Sequence, residues 1–184
     1  MARLPYVEPG TAPAAVREIL ERLPVKLNIF KMMAHAETSF RPLLQLGTSI
    51  LAQQQLSARL RELAILHVAR LSPAEYEWVQ HVPIGEAAGV SVAQIEALRA
   101  GQIEAPCFDE VDRLVLRFTT EVVRNVGAGA ATVAAMQRHF SSREIVELVL
   151  TIGFYMTIAR LMETTAIDLD PPAGTAVVGS LRRG

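Results

Sequence analysis

The stretch Arg61 to Ser91, RELAILHVARLSPAEYEWVQHVPIGEAAGVS, concentrates the side chains able to move protons. Glu77 and His81 are four positions apart, so on a helix they share a face. A carboxylate so placed can fix the tautomer of the imidazole and raise its basicity, which suits a general acid–base pair. Tyr76 and Trp78 flank Glu77 and bring a phenol and an indole donor. Pro83 falls inside the same helix, removes the hydrogen bond to the Val79 carbonyl and is expected to kink the chain beside His81. The plain alternative is a solvated surface pair of little energetic weight.

Glu62 strengthens the first reading. On the preceding helix it has Ala58, Ile65, Leu66 and Ala69 along its own stripe, so it sits among apolar side chains. A carboxylate there needs a partner or titrates high. An ion pair with Arg59, three residues back, is the structural alternative. A metal is the weaker reading for Glu62, His67, Glu77 and His81. Glu62 and His67 are five apart and point about 140° away from each other, and neither His-x-x-x-His nor Glu-x-x-His spacing occurs. His35 and His139 sit near expected helix ends, as caps or surface groups. No metal site and no cofactor are expected.

The elements that must hold these groups read as helices throughout, with no alternating strand. After an extended arm over 5–13, helices are expected over about 13–23, 28–36, 39–54 and 57–70. Ser72-Pro73-Ala74-Glu75 reads as a capping box opening a helix to about Ala88, closed by Gly89. Ser91 with Gln94 and Ser141 with Glu144 repeat that signature, and Asp109 opens a helix to about Asn125. Gly127-Ala128-Gly129 reads as a stop before a short helix over 130–139, and the last helix reaches about Ala166. Residues 1–167 form one domain; the tail, 168–184, is expected to be mobile or to wrap a neighbouring subunit.

Composition bounds the rest. The chain has 184 residues, 51% of them hydrophobic, and a formal charge of −1, so neither nucleic acid nor an anionic membrane is an expected partner. The most apolar run, Leu148 to Ala159, is too short to span a bilayer and reads as a buried core helix. The N-terminus shows no apolar leader, so a cytoplasmic protein is expected. A single cysteine, Cys107, excludes an internal disulfide and a CxxC pair, and reads as packing. Phe154, Tyr155 and Met156 read as core or subunit contact.

Arg61-Glu62-Leu63, then Glu75-Tyr76-Glu77-Trp78-x-x-His81, then Gly89, resembles the carboxymuconolactone decarboxylase family, which is related to the alkylhydroperoxidase D-like proteins. The resemblance implies an all-helical, alkylhydroperoxidase D-like bundle that assembles as a homo-oligomer, a trimer or hexamer. In the peroxidase branch the helix carries Cys-x-x-Cys-x-x-x-His. With the histidine on His81, the two cysteines fall on Ala74 and Glu77, and the family's preceding glutamate falls on Glu62. Both thiols are gone, so no thiol peroxidase activity is expected.

What remains resembles the thiol-free branch, whose model reaction is cofactor-free decarboxylation of a lactone carboxylic acid. The resemblance implies a catalytic set of His81 as acid–base group, Glu62 positioning it, and Glu77 as a second acid–base group or substrate-orienting group. Tyr76 and Trp78 would shape the pocket, and Arg59, Arg61 or an arginine of another subunit would bind an anionic small-molecule substrate. Isomerisation or dehydration by the same groups, or a non-catalytic ligand-binding or scaffold oligomer, are the alternatives. A catalyst should place His81 in hydrogen-bond reach of Glu62 or Glu77, facing a cavity of roughly 300 Å3 or more.

Overall fold

The structure, a computed structural model, describes residues 1–174 and 176. Among these residues the chain forms nine helices and no strand: α1 (Ala14–Arg22), α2 (Asn28–Met33), α3 (Glu37–Gln53), α4 (Ala58–Leu71), α5 (Glu75–Ala87), α6 (Val92–Arg99), α7 (Glu110–Asn125), α8 (Ala130–Met136) and α9 (Ser142–Thr165). The centre is α4, which is buried without a break from Leu60 to Ala69. Helices α5, α6, α7 and α9 pack around it. A helix covered on all sides keeps its polar residues only where partners meet them, and Arg61, Glu62 and His67 are those residues. A second apolar cluster joins α1, α2 and α3 to Tyr76 of α5 and to Ile158 and Met162 of α9.

Local sequence explains most of the boundaries. Ser91 with Gln94 and Ser141 with Glu144 form reciprocal capping boxes, and Asp109 with Asp112 forms a third. Ser72 does not open α5. It caps the C-terminus of α4, its amide bonded to the Val68 carbonyl, and α5 starts from Ala74 with no side-chain cap. At the other end of α5, Gly89 takes φ +98°. Its amide bonds to the Glu86 carbonyl, and that of Val90 to Gly85, the paired turn that ends a helix in a left-handed residue.

One expectation changes. The last helix is not a buried core helix: α9 is long and apolar enough to cross a membrane, yet only about a third of its most apolar window is buried. Leu148, Ile152, Tyr155, Ala159 and Met162 face inward, while Val146, Val149 and Leu150 are 57%, 42% and 50% exposed. The start of the tail, expected to be mobile or to wrap a neighbouring subunit, makes hydrogen bonds within the chain. Asp168 accepts from Tyr6 and from the Met1 ammonium, and Asp170 accepts from Tyr76 and the Asn28 amide. Gln80 donates to the carbonyls of Asp170 and Pro171 and accepts from the Ala173 amide. Intramolecular partners are available from both chain ends, so this segment straps its own α2 and α5. The rest of the expected tail, residues 175 and 177–184, lies outside the described residues.

Candidate active site

Helices α4 and α5 can approach closely because Gly85, one turn after His81, has no side chain. A Cβ there would meet Leu66 Cδ1 at 3.3 Å and Glu62 Cβ at 3.7 Å. That approach brings Glu62 and His81 together. The His81 ring donates from Nδ1 to Glu62 Oε2 at 2.8 Å, and Arg61 Nε donates to Glu62 Oε1 at 3.2 Å. Glu62 is fully buried, and Arg61 and His81 are buried beside it. With Nδ1 occupied, Nε2 is the ring nitrogen left for a ligand, and among the described residues it has no partner.

His81 lines a cavity of about 180 Å3 formed between α2, α3, α5, α9 and the turn after α1. It is smaller than the 300 Å3 expected. Its walls are mainly aliphatic and aromatic, including Leu27, Met33, Leu44, Phe154 and Ile158. Glu77, Gln80, Tyr76, Thr48 and Tyr155 supply the polar groups. Glu77 is 2% exposed, and neither carboxyl oxygen has a hydrogen-bond partner among the described residues. Burial, then the negative charges of Glu163 and Glu62, push its carboxyl well above the usual range. Glu77 therefore does not set the tautomer of His81; Glu62 does so from the facing helix.

Tyr155 is the residue that sequence reasoning missed. Its ring stands edge-on to His81, centroids 4.8 Å apart at 88°. Burial, reinforced by Glu62 and Glu77, pushes its hydroxyl well up and keeps it protonated. It lies in an uninterrupted apolar run, so no local spacing distinguishes it from core.

The other expected site residues fall elsewhere. Tyr76 lines the cavity, but its hydroxyl is spent on Asp170. Trp78 is turned into the core around α4, with the Arg99 guanidinium 5.0 Å above its ring. Arg59 pairs with Asp112 at 2.7 Å, not with Glu62. Arg61 serves Glu62 and does not line the cavity. Among the described residues no lysine or arginine lines it, and no group of three or more His, Cys, Asp or Glu gathers as metal ligands. Cys107 is partly buried, bonds weakly to the Ala93 carbonyl, and is not a cavity residue.

Residues 38–121 match the sequence profile of the carboxymuconolactone decarboxylase family. This segment, a little under half of the chain, is similar to that family. It spans α3 to most of α7 and so includes Glu62, Glu77 and His81. No curated protein sequence matches the chain. Solved structures share the fold. An uncharacterized peroxidase-related protein from Ralstonia eutropha, described as an alkylhydroperoxidase AhpD core, superposes with a TM-score of 0.78 at 18% identity, covering 92% of both chains. A peroxidase-related protein from Silicibacter gives 0.76 at 19% identity, again over 92% of each. A putative antioxidant defence protein AhpD from Agrobacterium tumefaciens gives 0.68 at 22%, covering 74% of this chain and 94% of that one. The all-helical AhpD-like fold is thus shared; the matched segment contains Glu62, Glu77 and His81, and Tyr155 lies outside it.

Proposed function

We propose that this protein is a cofactor-independent acid–base enzyme, a decarboxylase-like lyase or an isomerase of small lactone-like ring compounds, with His81 as the group that moves the proton. One observation carries the reading: the buried 2.8 Å bond from His81 to Glu62 at the wall of an apolar cavity. The carboxylate on Nδ1 selects the tautomer with Nε2 bare, and it stabilises the imidazolium formed when Nε2 takes a proton. Loss of CO2 or of a C–H proton from a lactone leaves an enolate-like charge, which donors in a dry site stabilise. A carboxylated substrate also needs a cation, and the described residues put none in the cavity, so proton transfer on an uncharged lactone has the stronger support.

The test is a panel of muconolactones and related enol-lactones, followed by CO2 release, ring absorbance and deuterium uptake from D2O. His81→Ala should lower turnover about 100-fold or more, and Glu62→Gln comparably, whereas Glu62→Asp should recover part of the rate and move the pH profile. Near-wild-type rates in His81→Ala would remove the histidine from the mechanism. The peroxidase-related proteins among the structural neighbours favour a second reading, thiol-based peroxide reduction. Ala74 and Glu77 occupy the expected thiol positions and Cys107 lies off the cavity, so Cys107→Ser should leave any hydroperoxide reduction unchanged. The protein is further proposed to act as a homo-oligomer, a trimer or hexamer, which the exposed apolar stripe of α9 supports.

A further inference from the structure

Two protic groups line the cavity: the Glu77 carboxyl, both of whose oxygens are buried without a partner among the described residues, and the Tyr155 hydroxyl. They bracket His81, Glu77 one helical turn before it on α5 and Tyr155 edge-on to its ring from α9. A carboxyl left buried and unbonded is destabilised, and a ligand that accepts its hydrogen removes that cost. Their surroundings keep both groups in the hydrogen-bearing form: burial first, then Glu163 and Glu62 for Glu77, and Glu62 and Glu77 for Tyr155. Both therefore offer hydrogen to an acceptor, while the nearby negative charges of Glu62 and Glu163 disfavour a ligand that brings a full charge of its own.

We propose that Glu77 and Tyr155 form a donor pair for the carbonyl oxygen of a small, uncharged, mainly apolar ketone or lactone, which is the substrate class of the His81 site. This rests on the proton-transfer reading above and narrows it. Volume agrees, since apolar cavities of about 150 Å3 hold a benzene ring and this one measures about 180 Å3. The step balances without a co-reactant. His81 Nε2 takes a proton from the carbon next to the carbonyl, and the C–H electron pair becomes the C=C bond of the enolate. The carbonyl π pair moves to oxygen, where the Glu77 and Tyr155 hydrogens stabilise it. The imidazolium then returns the proton to the same or a conjugated carbon. A tyrosine and a carboxylic acid kept neutral by an apolar site stabilise an enolate in this way in ketosteroid isomerase.

The experiment uses the full chain and three probes of one size: cyclohex-2-enone, cyclohex-1-enecarboxylate and cyclohexene. Calorimetry should show the enone binding at least about tenfold tighter than the carboxylate, and the infrared carbonyl stretch of the bound enone should fall below its value in an apolar solvent. Glu77→Leu and Tyr155→Phe should each weaken enone binding about tenfold and reverse part of the frequency shift, while leaving cyclohexene binding within about threefold. Glu77→Gln, which keeps a donor, should retain both. Tighter binding of the carboxylate, or a carbonyl stretch unchanged in both Glu77→Leu and Tyr155→Phe, overturns the donor pair. Deuterium exchange into the enone, measured alongside, separates the two claims. Exchange that depends on His81, with no frequency shift, leaves the proton-transfer reading standing and removes the donor pair; a shift without exchange does the reverse.

Discussion

Tyr76 of α5 donates its hydroxyl hydrogen to the Asp170 carboxylate at 2.5 Å, and the same oxygen accepts the Asn28 amide at 2.6 Å. One carboxylate thus ties α5, α2 and the chain beyond α9. Asp170→Ala should leave the buried Tyr76 hydroxyl unsatisfied and cost about 1–3 kcal/mol. Thermal unfolding should register this as a drop of several degrees. An unchanged melting temperature would mean that the strap contributes nothing to the fold.

Glu62 answers to two cations at once when His81 is protonated, and to Arg61 always. Glu62→Gln keeps the shape and removes the charge, leaving the buried Arg61 without its counter-ion. The expected loss is about 3 kcal/mol in urea unfolding with no ligand present. A Glu62→Gln variant as stable as the parent would show that Arg61 finds another partner or reaches water.

His67, on the α7 side of α4, is a second buried imidazole with no part in the site. Thr120 donates to the Leu116 carbonyl and so must accept the His67 Nε2 hydrogen at 2.7 Å, which leaves Nδ1 bare and unpartnered. Burial, then the charges of Arg124 and Arg70, lower its pKa from 6.5 to about 4. A folded-state value below the unfolded one means that the unfolded chain binds the proton first. The stabilisation is therefore complete above pH 6.5 and fades as pH falls toward 4, by about 3 kcal/mol in all. Urea unfolding from pH 7 to 4.5 should show this slope in the parent and a shallower one in His67→Gln. Equal slopes would clear His67 of any role in acid sensitivity.

Val146, Val149 and Leu150 are spaced to form one exposed stripe on α9. If the protein associates through that face, Leu150→Asp should lower the mass measured by light scattering while the helical circular dichroism stays the same. A variant that keeps the parent mass would move the interface elsewhere.

Much of this was readable in the residues, and the failures follow a pattern. Capping boxes depend on four consecutive residues, so Ser91 and Ser141 were legible. Ser72 carried the same letters but was consumed by the end of α4. The Glu77–His81 spacing puts the two residues on one helix face, and both line one cavity. It misassigned the tautomer-setting carboxylate, because the bond comes from another helix and i,i+4 spacing is blind to that. Trp78 is next to Glu77 in sequence but about 100° around the helix, which turns it to the core. Arg59 was drawn to Asp112, itself fixed by Asp109 and Gln94, a meeting of three helices that no short window displays. Tyr155 needed the fold to be seen at all.

The unsatisfied Glu77 carboxyl has a practical side. A ligand that accepts its hydrogen binds only the folded chain, so occupancy must raise the melting temperature in proportion to RT ln(1 + [L]/Kd). A compound library can therefore be ranked by thermal shift with the reaction still unknown. Hits whose shift disappears in Glu77→Leu would be those that dock at the acid rather than merely fill the apolar space.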